Sequence, residues 1–80
     1  MKTYFNVGKI YRIESSGPSW GARTLGGNES VQIPRGTEVV LIKESKGDFH
    51  INVVILLPNG TICWTTVRTI ELPKWILTTQ

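Results

Sequence analysis

The alternation of apolar and polar positions is clearest between residues 49 and 57. Phe49, Ile51, Val53, Ile55 and Leu57 fall on one side of an extended chain; His50, Asn52, Val54 and Leu56 fall on the other. The second side begins polar and turns apolar, as in a strand whose far end is covered on both sides, by barrel curvature or by a partner. Leu57-Pro58-Asn59-Gly60-Thr61 then reads as a tight hairpin: proline and asparagine suit the central positions of a type I turn, and glycine the left-handed position after them. The paired strand runs from Thr61 to Thr69, in residues that favour extended backbone.

Upstream, Val7 to Glu14 predicts a first strand opened by Gly8. Val31-Gln32-Ile33 predicts a short strand stopped by Pro34-Arg35-Gly36, and Glu38 to Glu44 another, ending at the polar turn Ser45–Asp48. Ser15 to Ser30, rich in Gly and Ser, reads as a long loop after the first strand, with Trp20 at its middle. Leu72-Pro73 ends the last long strand, and Lys74 to Leu77 is a single turn or a final strand. No window carries a helical period. Residues 1–80 therefore predict a single all-β domain of about five strands, closed into a small barrel that leaves little exposed edge. Ile51, Val53 and Ile55 are expected to face Val39 and Leu41 in its core, with Phe49 and one of Tyr11 or Trp64 as interior rings.

Composition narrows the setting. A chain of 80 residues buries only about 60–65% of its unfolded surface, so the core is thin. Cys63 is the sole cysteine, which excludes an internal disulfide and points to a reducing compartment. Lys2 is followed by no apolar run, and Val53–Leu57 is too short to span a bilayer. The expectation is a soluble, cytoplasmic protein with no membrane partner. The net charge of +3 is spread evenly: five basic and three acidic residues precede position 41, and four and three follow it. No basic run marks a phosphate-binding face.

The run Ile33-Pro34-Arg35-Gly36-Thr37-Glu38-Val39-Val40-Leu41 is followed by Phe49, by Pro58-Asn59-Gly60-Thr61, and by Trp64 four residues past the glycine. Together with Ser16-Gly17-Pro18-Ser19 in the first loop, this punctuation resembles that of bacterial Src-homology-3-like (SH3-like) barrels over roughly residues 7–72. Tyr11-Arg12-Ile13-Glu14-Ser15 stands where the family usually carries Leu-Asn-Val-Arg, and Cys63 stands where it has glycine. The resemblance implies the barrel fold and recognition of a ligand by aromatics of the loop after the first strand.

Chemistry-bearing residues are few. One histidine and one cysteine do not supply a zinc site, and His50 is given no convergent partner that would make it a general base. The carboxylates are scattered singly, and Gly26-Gly27-Asn28 lacks the lysine of a phosphate loop. No catalytic residue, metal or cofactor is expected. What remains is binding: a protein- or peptide-binding module, acting as a small adaptor, subunit or inhibitor, with oligomerisation left open. Its size would also suit a regulator carried by a virus or mobile element. Trp20 is the expected anchor with Arg23 beside it, unless its ring folds back to cap the barrel end, and Tyr11 and Trp64 are further contacts. The rival reading is a nucleic-acid-binding barrel that uses Lys9, Arg12, Arg35 and Arg68 with an aromatic stacking platform.

Overall fold

The computed structural model describes residues 4–78. Seven strands form one curled antiparallel sheet, a half-barrel: β1 (Ile10–Ile13), β2 (Ser19–Thr24), β3 (Ser30–Pro34), β4 (Glu38–Lys46), β5 (His50–Leu56), β6 (Ile62–Arg68) and β7 (Trp75–Leu77). A 3₁₀ helix, Thr69–Lys74, links β6 to β7. The order across the sheet is β3-β2-β6-β5-β4-β1-β7. The all-β class follows from the alternation; the strand count differs. β2 lies inside the stretch expected to be a loop, β7 takes up the final segment, and β1 begins at Ile10 instead of Val7.

β2 escapes pattern reading because Ser-Trp-Gly-Ala-Arg-Thr has little intrinsic strand preference. It is extended because it pairs with β3 from Ser19↔Pro34 to Arg23↔Ser30. The turn joining them has Gly26 and Asn28 at φ 91° and 59°, a region open to glycine and tolerated by asparagine. Asn28 N–H and Thr24 C=O, then Thr24 N–H and Glu29 C=O, close it at 2.9 Å each.

The concave side holds the core. Ile13, Ile33, Val39, Leu41, Ile51, Val53, Ile55, Cys63 and Val67 are almost wholly buried. The expected grouping of Ile51, Val53 and Ile55 with Val39 and Leu41 is thus present. Phe49 is a correction: it is 80% exposed. The period-two phase does not reach it, because β5 starts at His50 and Phe49 belongs to the bend at the tip of the β4–β5 hairpin. Trp64 is likewise outside; the interior rings are Tyr11, Phe5 and Trp75.

Rings also close the open side. Tyr11, Phe5, Trp75 and Trp20 meet edge-on in a chain, with centroids 5.2, 5.5 and 5.4 Å apart. Edge-to-face contact of this kind adds about 0.5–1.5 kcal/mol per pair beyond burial. Trp20 on β2 and Trp75 on β7 come from opposite flanks of the sheet, so side chains span a gap that no ladder closes. The segment before β1 is held by Phe5 and by the Asn6 N–H donating to Tyr11 Oη at 2.8 Å. At the β5–β6 hairpin, Gly60 has φ 91°, and its N–H donates to the Leu57 carbonyl at 2.9 Å, as the sequence predicts.

Candidate functional site

The convex side is where the strands leave apolar groups uncovered. Cross-strand register sets Ile10 opposite Val40, Val40 opposite Leu56, and Leu56 opposite Ile62. The Leu25 N–H donates to the Ile62 carbonyl at 2.9 Å and prolongs that row. Five aliphatic side chains therefore cross the sheet side by side. Ile10, Ile62 and Leu25 are 38%, 41% and 56% exposed, and Val40 and Leu56 are half-buried. The adjoining row runs Lys43, Val54, Trp64, Arg23, with a cation at each end and apolar groups between. Beyond it, Ser45, Asn52 and Thr66 return the surface to polar. The β-bulge between Leu41 and Lys43 carries Lys43 into this row.

A cleft of about 540 Å³ lies where β2 parts from β6. Those strands pair only at Arg23↔Trp64 and Thr24↔Cys63. The cleft is lined by the Ser15–Gly17 turn, Trp20, Gly21, Thr65, Thr66, Arg68, Glu71 and Lys74. Thr65 Oγ1 accepts from Trp20 Nε1 at 3.0 Å and donates to the Gly21 carbonyl at 2.9 Å. One hydroxyl thus satisfies an indole and pins a backbone carbonyl.

The expected site residues are divided by this geometry. Trp20 and Arg23 do not sit together: three positions apart on one strand, they point to opposite faces. Trp20 is half-buried against the core, and its loop is a strand. Tyr11 is buried, and its hydroxyl is engaged by Asn6. Arg23 and Trp64 are brought together as a cross-strand pair on the convex side, with Arg23 Nη1 donating to the Asn28 carbonyl at 3.1 Å. The aliphatic row was missed, although the apolar turn of Val54 and Leu56 on the second face of their strand was its signal in the sequence.

The cations of the nucleic-acid reading are mostly engaged by carboxylates. Arg12 Nε donates to Glu14 at 2.7 Å, and Arg35 Nε lies 3.4 Å from its other oxygen. Hydrogen bonds from Arg12 and then Arg35 hold the Glu14 carboxyl below the usual carboxylate range. Arg68 pairs with Glu71 at 3.2 Å. Burial pushes Glu71 up, but hydrogen bonds from the Arg68 side chain and backbone outweigh it and leave its carboxyl lowered. Lys9 stands in the turn before β1.

His50 is exposed at a strand start. Cys63 is buried between the sheet's core residues, and burial pushes its thiol up, away from the nucleophilic thiolate. Among the described residues no three of His, Cys, Asp and Glu gather as metal ligands, and no helix is long and apolar enough to cross a membrane. No protein-family model, curated protein or solved structure matches the chain.

Proposed function

We propose that this chain is a non-catalytic binding module of SH3-like type that docks the convex side of β4, β5 and β6 onto a partner protein, as an adaptor, subunit or inhibitor. The carrying observation is the aliphatic row Ile10, Val40, Leu56, Ile62, Leu25, which nothing in the described chain covers. Scattered surface leucines are ordinary, but a contiguous band of large apolar side chains marks an interaction surface. Trp64 and Arg23 beside it are the residue types that most often dominate binding energy. Lys43 and Arg23 at the two ends of the second row favour a partner whose apolar surface is flanked by carboxylates. The curled antiparallel sheet supports the SH3-like resemblance, and the pairing of Arg12, Arg35 and Arg68 with carboxylates favours a protein over nucleic acid.

The test is capture from an extract of the native host, with and without nuclease treatment, on the immobilised chain. One protein held by the native chain is expected to be lost with Leu56→Asp, while the circular dichroism spectrum and melting temperature stay close to native. A ligand kept by Leu56→Asp, lost after nuclease and released steeply by salt would overturn this reading in favour of nucleic acid.

A further inference from the structure

We infer that the cleft between β2 and β6 is a second site, which takes an extended acidic peptide segment as an added strand. β2 and β6 pair at Thr24↔Cys63 and Arg23↔Trp64, so the same register would set Ala22 opposite Thr65 and make Gly21 and Thr66 the next hydrogen-bonded pair. That rung is absent from the ladder. The Gly21 carbonyl accepts from the Thr65 side chain, Oγ1 at 2.9 Å, in place of a backbone partner on β6. Thr69 N–H donates to the Phe49 carbonyl, so odd positions of β6 address β5 and even positions face the other way, into the cleft. Of these, the Ile62 carbonyl is taken by Leu25 and the Arg68 N–H by Glu71 Oε1. Thr66 is the even position whose N–H and C=O lie outside the β2–β6 ladder and line the opening. A strand's donor and acceptor beside the Trp20 ring are the elements of peptide recognition by strand addition.

Charge selects among peptides. The cleft is lined by Arg68 and Lys74 against one carboxylate, Glu71, which Arg68 already engages. Lys74 stands at the end of the 3₁₀ helix and lines the same cleft, where its charge acts on Glu71 without a close ion pair among the described residues. A carboxylate side chain on the added strand would meet Lys74 and the unused donors of the Arg68 guanidinium, while Trp20 offers the apolar contact. A cleft of about 540 Å³ is far larger than a lone inorganic anion needs. The cleft adjoins the convex side at Thr66 but shares none of the aliphatic row, so the two sites are tested by different variants.

The test selects a naive phage-displayed heptapeptide library on the immobilised chain, then measures the enriched peptides by calorimetry and amide exchange. Enriched sequences are expected to carry Asp or Glu among β-branched residues. Binding is expected to slow exchange of the Thr66 amide, to weaken about tenfold or more in Lys74→Glu, and to persist in Leu56→Asp. Overturning results are peptides without acidic preference, binding that leaves the Thr66 amide unprotected, or displacement of every peptide by millimolar inorganic phosphate. Binding abolished by Leu56→Asp and indifferent to Lys74→Glu would also overturn it, by placing the peptides on the convex side.

Discussion

Thr65→Val removes one oxygen and with it two hydrogen bonds that organise the region where β2 leaves β6. The indole N–H of Trp20 loses its acceptor at 3.0 Å, and the Gly21 carbonyl loses its donor at 2.9 Å. Each bond contributes about 1 kcal/mol net, and a partner left buried without one costs about 1–3 kcal/mol. The methyl group gained in a buried position offsets part of this, by under about 1 kcal/mol. The expected destabilisation is therefore about 1.5–3 kcal/mol, or on the order of 10 °C in melting temperature for a domain of this size. Urea unfolding followed by tryptophan fluorescence and by far-UV circular dichroism measures it. The double mutant Thr65→Val/Trp20→Phe should be less than additive by ~0.5 kcal/mol or more, because the indole's partner is removed only once. A midpoint change within ~0.5 kcal/mol, or strict additivity, would refute the assignment of this hydroxyl as the link between the two strands.

Gly60→Ala should destabilise by ~1 kcal/mol or more: φ is 91° there, and no atom lies within 4 Å of an added Cβ, so backbone conformation alone sets the effect. An unchanged denaturant midpoint would contradict the turn. Val53→Ala, at a position 1% exposed, should cost ~1–3 kcal/mol through lost burial and a residual cavity, read by the same unfolding curves. Glu14 has its carboxyl lowered in the folded chain by Arg12 and Arg35, so its contribution is present above the unfolded carboxylate range and is lost as pH falls below about 4. The melting-temperature difference between the native chain and Glu14→Gln should accordingly shrink between pH 7 and pH 3 and diminish with salt; a difference that grows on acidification would contradict the sign.

The sequence by itself determined the strands whose own residues impose extended backbone: β1 and β3 to β6, the hairpin at Pro58-Asn59-Gly60, and the core face of Ile51, Val53 and Ile55. Period-two alternation and turn stereochemistry are local, so they are legible without the fold. The remainder depended on partners distant in the chain. β2 is a strand only because β3 and β6 pair with it, Trp20 points inward because that pairing sets its phase, and Phe49 is outside because β5 begins one residue past it. Among candidate site residues, Trp64 and Arg23 were readable as residue types; that they form a neighbouring pair is a consequence of register. The aliphatic row takes one residue each from β1, β4, β5 and β6, and one from the turn after β2, while the cleft arises where a ladder stops. Neither exists along the chain, since both are made by which strands lie side by side, and only the folded sheet decides that.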